Sequence, residues 1–405
     1  ETSAMPWPQA WQWVFFRCPN PYRALRVSNA LVLTGGGARA AYQVGVLKGI
    51  AAILPRAIYN PFPIVCGTSA GAINALSIAG RPGPFRLRAR KLEHIWHNLH
   101  ASDVYRTDVL GVTANAFRVL ASLVHGGFAA GRALSLLDNS PLRQLLDSYV
   151  QFDYLDTAIA NGELEAIAIS AMSYASGQSV TFFQGAESIK PWNRARRRGE
   201  KTGLTINHLI ASTAIPILFP AVKIGGYYFG DGAVRQPKPI SPALHMGASK
   251  LLIVGVSDNA TQTNVGSMGE HAPSIGRIMG HMFNSAFIDA VESDLETLRT
   301  INRLSSALPQ SLKDTNGITD LRTVEVLSIS PSQSLDRIAE EHIHELPRSL
   351  KLFLKLTGAT GKGGGGSVAS YLLFEPGFCR QLIELGYQDA LAQEDSIRDF
   401  FSLSQ

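Results

Sequence analysis

Residues 30–54 read ALVLTGGGARAAYQVGVLKGIAAIL and carry the clearest fold signal in the chain. The apolar residues 30–34 predict a buried strand, the three glycines a tight turn, and residues 38–54 a helix. A second unit follows, in which an apolar strand at 64–66 runs into the turn GTSAG and a helix at 70–79. Two strand, turn and helix units so close together predict an α/β fold with a mostly parallel sheet.

Composition describes a globular chain. Its 405 residues are 45% hydrophobic and 17% charged, which is enough apolar material for a substantial core. Cys18, Cys66 and Cys379 are far apart and form no C-x-x-C pair, so neither a disulfide framework nor a cysteine metal site is expected. The first residues lack the basic segment and the cleavage site of a secretory signal, so a cytoplasmic location with peripheral membrane contact is expected. Export without a cleavable signal stays open.

Positive charge is concentrated near the start of the chain. After Glu1 no acidic residue occurs before Glu93, whereas eleven Lys and Arg residues do. This segment predicts anionic partners such as phospholipid head groups. Nucleic acid is not expected as a partner, because no recognition motif for it accompanies the charge.

Two segments are candidates for peripheral membrane contact. In the first, residues 1–28, Trp7, Trp11 and Phe15 recur every four residues and arginines follow, as in an interfacial anchor. A terminal segment that caps the core is the alternative. The second is a basic loop that contacts anionic lipid or is simply solvated; it contains Arg194, Arg196, Arg197 and Arg198.

Helical patterns occupy much of the remaining chain. They predict helices at 86–98, at 140–150 with Ser140 as the N-cap, at 275–303 and at 335–356. We therefore divide the chain into the aromatic and basic segment 1–28, a catalytic domain at 29–260, and a helix-rich region at 261–405 that packs on or completes that domain.

The turn GTSAG predicts a nucleophile. Ser69 lies between a buried strand and a helix of small residues, a setting that strains the serine outward and aims the helix N-terminus at developing negative charge. Gly67 and Gly71 are the glycines of this elbow, and Ala70 and Gly71 are small because the turn crowds the strand against the helix. The alternative is a tight structural turn.

A serine nucleophile needs a base, and the residues alone leave its identity open. Histidine is the default, yet none of the ten histidines stands out. Asp231 lies between glycines in FGDGAVRQPKP and could serve if it contacted the serine in a dry site. An ordinary Asp-Gly β-turn is the commoner meaning of such a stretch.

Gly35, Gly36 and Gly37 follow the first strand and leave backbone N–H groups open to an oxyanion. The rival interpretation is dinucleotide binding, since GGGARA fits G-x-G-x-x-A. It is disfavoured because no acid that could hold a ribose occurs before Glu93.

No metal site is predicted. His94, His97 and His100 recur every third residue beside Glu93, but residues at that spacing drift around a helix axis. A solvated helix face explains them better.

Three blocks together resemble the patatin-like phospholipase family in its bacterial form. LVLTGGGARAAYQVGVL is similar to its glycine-rich block, GTSAGAINAL to its nucleophile elbow, and ASTAIPILFPAVKIGGYYFGDGAV to the block that ends in its D-G-A/G motif. The resemblance covers roughly residues 30–256. Ala40 and Gln236 depart from the glycine and asparagine usual in the family.

The resemblance implies a three-layer α/β/α fold, to which the helical patterns add a helix-rich C-terminal extension. It implies a Ser69–Asp231 dyad that works without histidine, cofactor or metal. It also implies that Gly35, Gly36 and Gly37 form the oxyanion hole, and that Arg39 orients this loop or meets a phosphate. The expected function is hydrolysis of fatty-acyl esters of membrane phospholipids or other glycerolipids, as in phospholipase A or lysophospholipase. A non-catalytic or regulatory lipid-binding module and a lipid acyltransferase are the alternatives.

Overall fold

A computed structural model describes residues 28–108, 135–257, 275–285, 290–308, 322–356 and 365–403. Within these residues the chain forms one ten-stranded sheet, whose strands are numbered β1 to β10 along the chain. Eight of them follow the order β10-β9-β1-β2-β3-β4-β6-β5, and the other two, β7 and β8, pair with each other and attach to β3. The strands are β1 (Asn29–Leu33), β2 (Ile64–Thr68), β3 (Ala166–Ser173), β4 (Ser179–Gly185), β5 (Trp192–Arg194), β6 (Arg197–Lys201), β7 (Val222–Ile224), β8 (Tyr227–Asp231), β9 (Lys250–Val254) and β10 (Glu325–Ile329).

The centre of the sheet is parallel, as predicted. Strands β10, β9, β1, β2 and β3 pair in parallel, while β4 runs antiparallel to β3. The hairpin of β7 and β8 joins the carboxyl end of β3. This hairpin therefore places Asp231, the last residue of β8, beside the carboxyl end of β3.

Helices cover both faces of the sheet. They are α1 (Ala41–Ile53), α2 (Ala70–Ala79), α3 (Phe85–His97), α4 (Ala101–Val104), α5 (Ser140–Tyr149), α6 (Asp153–Ala160), α7 (Ile206–Ser212), α8 (Ser241–His245), α9 (Ile275–Asn284), α10 (Ala290–Ala307), α11 (Leu335–His342), α12 (Arg348–Leu356), α13 (Gly365–Leu372), α14 (Pro376–Leu391) and α15 (Glu394–Phe400). None of these helices is both long and apolar enough to cross a bilayer.

Alternate residues of the central strands enter two separate cores. On β1, Leu31 and Leu33 belong to the larger core, whereas Ala30 and Val32 belong to the smaller one on the opposite face. Strands that are buried on both faces explain the continuous apolar runs in the sequence. The three-layer α/β/α expectation is confirmed.

Two helix predictions need correction. The helix expected at 335–356 divides into α11 and α12, because Pro347 lacks an amide hydrogen and a 3₁₀ turn, Ile343–Glu345, precedes it. Of the helix expected at 275–303, the structure describes α9 and α10, and residues 286–289 between them lie outside the described residues. Ser140 is the first residue of α5 rather than its N-cap, which is Asn139.

The prediction of a basic loop that contains Arg194, Arg196, Arg197 and Arg198 is also wrong. Its residues form β5 and β6, a short antiparallel hairpin at the sheet edge that turns at Arg196, where φ is 62°. Trp192 anchors the hairpin, because its ring stacks on Phe183 with centroids 5.0 Å apart. Three of the hairpin's arginines have side-chain contacts: Arg194 donates to the Asn193 carbonyl, Arg197 donates to the Ser241 hydroxyl, and Arg198 pairs with Glu200. The aromatic segment 1–28 lies outside the described residues except for Ser28.

Candidate active site

Ser69 occupies a strained turn between β2 and α2. Its φ of 55° and ψ of −130° are rare for a residue with a side chain. The turn is sharp because α2 begins directly against the end of β1: a Cβ on Gly71 would approach the Leu33 and Thr34 carbonyl oxygens to 2.4 Å. Gly67 is equally crowded by the first turn of α2.

Strand β3 brings Asp231 to Ser69. Thr68, the last residue of β2, pairs with Ser170, and Asp231 pairs with the next residue of β3, Ala171. Strands β2 and β8 thus meet end to end along one edge of β3. The Ser69 Oγ donates a hydrogen bond of 2.5 Å to Asp231 Oδ2, although the two residues are 162 positions apart in the chain.

Asp231 is fully buried. Its other carboxylate oxygen, Oδ1, accepts the Ala233 amide at 2.9 Å. Burial disfavours the charged carboxylate and raises the pKa of Asp231 to about 7, although the hydrogen bonds from Ser69 and Ala233 act in the opposite direction. A pKa in this range suits a group that both accepts and returns a proton near neutral pH.

Two polar residues, Ser212 and Gln236, support the dyad through hydrogen bonds. The Ser69 amide donates to Ser212 Oγ at 2.9 Å, and that hydroxyl donates to the Ser170 carbonyl at 2.6 Å. Gln236 accepts from the Thr68 hydroxyl at 2.7 Å and donates to Ser170 Oγ at 2.8 Å. Sequence reasoning missed both. Ser212 carries no motif, and Gln236 was visible only as a departure from the family pattern.

The three predicted oxyanion glycines are not equivalent. Gly37, with φ 55°, borders the same cavity as Ser69, whereas Gly35 borders a separate cavity beside Cys66 and Gln236. The Gly36 carbonyl accepts from the Arg39 amide at 3.1 Å. Within the described residues, neither the Gly36 amide nor the Gly37 amide has an acceptor.

Arg39 attaches the glycine loop to the C-terminal helices. Its guanidinium is buried, donates to Ser370 Oγ at 2.8 Å, forms an ion pair with Asp336, and lies 4.1 Å from the centre of the Tyr371 ring. The Tyr371 carbonyl also lies where a Cβ on Gly37 would be, 2.2 Å away. Of the two roles expected for Arg39, this geometry favours orienting the loop over meeting a phosphate.

An apolar cavity extends from Ser69 between three helices. Along α2, Ala70, Ile73 and Ser77 border it. Helix α3 contributes Leu92, Ile95 and Trp96, and Leu99 follows that helix. Helix α5 contributes the face formed by Leu142, Leu145, Leu146 and Tyr149. Tyr371 and Phe374 from the C-terminal region complete the wall. The empty space is about 690 Å³ with its open mouth included.

Among the described residues, no histidine forms a hydrogen bond with Ser69 or Asp231. His208 is on the same helix as Ser212, but its Nδ1 accepts from the Thr205 amide, and burial lowers its pKa to about 4. The described residues contain no group of three side chains suited to hold a metal ion. His94 and His97 are exposed on α3, and His100 contacts Glu375.

Two curated relatives share a short stretch with this chain. A cUMP-AMP-activated phospholipase of Escherichia coli is 42% identical over 69 residues, which are 17% of this chain and 22% of that protein. A cGAMP-activated phospholipase of Pseudomonas aeruginosa (strain BWHPSA011 / Pa011) is 39% identical over 61 residues, 15% of this chain and 18% of that protein. The chain therefore spans about a fifth of the length of these relatives.

Among solved structures, human GIVD cytosolic phospholipase A2 in complex with methyl γ-linolenyl fluorophosphonate is similar with a TM-score of 0.42 and 10% identity, covering 92% of this chain and 59% of that one. A family model described as patatin-like phospholipase matches residues 31–244. Because the matched part is more than half of the chain and contains the glycine loop, Ser69 and Asp231, the protein belongs to the patatin-like phospholipase family.

Proposed function

We propose that the protein is a serine hydrolase that cleaves fatty-acyl esters of glycerolipids, in the manner of a phospholipase A or lysophospholipase. One observation carries the proposal: Ser69, which forms a hydrogen bond of 2.5 Å with Asp231, also lines an apolar cavity. A nucleophile with a buried base next to an apolar wall suits an ester with a long hydrocarbon chain.

In the proposed reaction Asp231 acts as the base. Ser69 Oγ attacks the ester carbonyl while its proton passes to Asp231 Oδ2, to which it is already hydrogen-bonded. Asp231 then returns the proton to the alcohol that leaves, and an acyl-serine remains. Water, activated by the same carboxylate, attacks the acyl-serine and releases the fatty acid.

The oxyanion of each tetrahedral intermediate needs donors. We assign this role to the Gly36 and Gly37 amides, which have no acceptor within the described residues. The N-terminus of α2, directly after Ser69, adds favourable partial positive charge. Gly35 borders a different cavity and is assigned no direct contact with the oxyanion.

The proposal also assigns the contacts with the substrate and with the membrane. The acyl chain would lie in the cavity along α2, and the rest of the lipid would stay in the bilayer. Peripheral contact by residues 1–28 and by the exposed arginines of the hairpin, Arg194 and Arg196, remains part of the proposal. Changing these two arginines to alanine should weaken binding to anionic vesicles. Unchanged binding would show that the hairpin does not contact the membrane.

The direct test is fatty-acid release from a panel of phospholipids and lysophospholipids. Ser69→Ala and Asp231→Asn should each abolish release while the protein remains folded. Asp294→Asn is a matched control, because Asp294 is also a buried carboxylate but lies in contact with Lys238. If Asp231→Asn keeps wild-type turnover, the dyad is wrong.

The products separate the alternatives. A lipid acyltransferase would transfer the acyl group to an added lipid alcohol in preference to water. A lipid-binding module would release no fatty acid from any lipid, and its binding would not depend on Ser69.

A further inference from the structure

The loop between α7 and β7 exposes a strained apolar residue beside the cavity. Ile215 and Phe219 line the cavity and are buried, whereas Ile217 between them is 61% exposed and has a φ of 71°. A positive φ is rare for a β-branched residue and persists only where the surrounding structure holds it. Here the Leu136 amide donates to the Ile217 carbonyl at 2.9 Å. The loop thus keeps an isoleucine in solvent at a cost that the packing of the core does not explain.

Tyrosines are exposed on both faces of the β7–β8 hairpin that follows this loop. Gly225 and Gly226 form its two-residue turn, and Tyr227 and Tyr228 come directly after the turn. Successive residues of a strand point to opposite faces, and both tyrosines are exposed. A hairpin that packed one face on a protein core would bury one of the two. Both faces of the tip are therefore available to a partner that surrounds it.

A row of paired residues connects this tip to the candidate active site. Tyr228 pairs with Lys223 of β7, and its carbonyl accepts from the Tyr174 amide at 3.0 Å. The exposed Tyr174 ring lies against Gly230, where an added Cβ would approach its hydroxyl to 2.8 Å. Gly230 directly precedes Asp231. The exposed tyrosines are therefore adjacent to the proposed base, at the carboxyl edge of β3.

The charge around these side chains is positive. Residues 172–178 and 214–235 include one acidic residue, Asp231, and it is fully buried. Lys223 and Arg235 are exposed in the same ranges. We call the exposed side chains the docking surface: Tyr174, Ile217, Lys223, Tyr227, Tyr228 and Arg235.

We propose that the docking surface binds a phospholipid bilayer. Tyrosine combines an apolar ring with a polar hydroxyl, which suits the boundary between head groups and acyl chains. Ile217 reaches the apolar side of that boundary, and the two cations meet anionic head groups. The inference rests on the proposed function, because a bilayer is the partner that carries the substrate. It goes further by turning the carboxyl edge of the sheet, where Ser69 and Asp231 lie, toward the membrane.

Binding to vesicles tests the surface without hydrolysis. Ile217→Asn, Tyr227→Ser and Lys223→Ala are each made in full-length Ser69→Ala, so residues 1–28 contribute equally to every protein. Binding is measured by sedimentation with vesicles of phosphatidylcholine, with and without phosphatidylserine. Asparagine adopts a positive φ more readily than isoleucine, so Ile217→Asn should unfold at no lower urea concentration than its parent.

Two exposed residues near the opposite edge of the sheet provide matched controls. Leu304 is 60% exposed on α10, close to Asn302, whose side chain donates to the Val324 carbonyl just before β10. Lys190 is exposed and follows β4, whose last residue, Gly185, pairs with the first residue of β3. Both therefore lie near the amino edge of the parallel strands. Leu304→Asn and Lys190→Ala should bind vesicles as their parent does.

The three variants of the docking surface should behave differently. Ile217→Asn and Tyr227→Ser should each weaken binding to both kinds of vesicle by about tenfold, the effect of withdrawing one large apolar side chain from lipid. Lys223→Ala should weaken binding to anionic vesicles by about fivefold and leave binding to neutral vesicles unchanged. Parental vesicle binding in all three variants would overturn the proposal. If these variants instead lost only self-association in ultracentrifugation, the surface would belong to a second copy of the chain.

Activity separates this inference from the proposed function. With Ser69 intact, the same substitutions should slow fatty-acid release from vesicles and leave kcat/KM for a dissolved, monomeric short-chain ester unchanged. Vesicle binding that depends on these residues, without release from either substrate, would retain the surface and reject the hydrolase. Release from both substrates, with vesicle binding unchanged by the substitutions, would reject the surface alone.

Discussion

Replacing Asp231 by asparagine should remove activity and, at alkaline pH, stabilise the protein. The carboxylate is fully buried and its pKa is raised to about 7 in the folded chain, against about 3.9 in an unfolded one. A group whose pKa rises on folding contributes stability below its unfolded pKa and loses that contribution as pH rises through the folded value. Asparagine has nearly the same shape but does not titrate.

The size of the effect follows from the pKa. Each pH unit between the unfolded and folded pKa values costs the wild-type protein about 1.4 kcal/mol of unfolding free energy. Between about pH 5 and about pH 8, wild type should therefore lose about 2–3 kcal/mol that Asp231→Asn does not lose. Other titrating groups are common to both proteins and cancel in the difference.

Urea unfolding at a series of pH values measures this difference. Ser69→Ala provides a second point, because loss of the Ser69 hydroxyl removes a bond that lowers the pKa of Asp231. We expect its stability to keep falling to a higher pH than that of wild type, because the folded pKa of Asp231 is then higher. A difference between wild type and Asp231→Asn that stays constant with pH would refute the argument that burial controls this carboxylate.

Three further outcomes are expected. First, kcat/KM should rise with pH through about 7 as Asp231 loses its proton; a profile that is flat from about pH 5 to about pH 9 would contradict its role as base. Second, Gly71→Ala should cost about 3 kcal/mol of unfolding free energy through overpacking, whereas Gly203→Ala should cost far less, since nothing lies within 4 Å of the added Cβ. Third, Asp336→Ala should cost about 3 kcal/mol of unfolding free energy, because it leaves the Arg39 guanidinium buried without its carboxylate partner. It should also lower kcat more than it raises KM. If kcat and KM are the same as in wild type, this ion pair does not position the glycine loop.

Local patterns in the sequence predicted the elements that carry the site. The strand, glycine turn and helix at residues 30–54 and the turn around Ser69 are set by neighbours in the chain, so the sequence shows them directly. The pairing of Ser69 with Asp231 was different. Residue chemistry alone left histidine open, and only the family resemblance favoured the aspartate.

Contacts between distant segments could not be predicted. Ser212, which holds the Ser69 amide, is an unremarkable helical serine until β3 and α7 pack together. The Asp336 partner of Arg39 comes from a region without a usable motif.

The pairing of Asp231 with Ala171 of β3 has a consequence for protein synthesis. Ser69 leaves the ribosome long before Asp231, so it has no base until β8 has been made and has joined the sheet beside β2. The glycine loop is supported still later, when Tyr371 arrives behind Gly37. Under the proposed function, a nascent chain carries an inert serine alcohol, and the proposed lipid hydrolysis begins only once folding has reached the C-terminal helices.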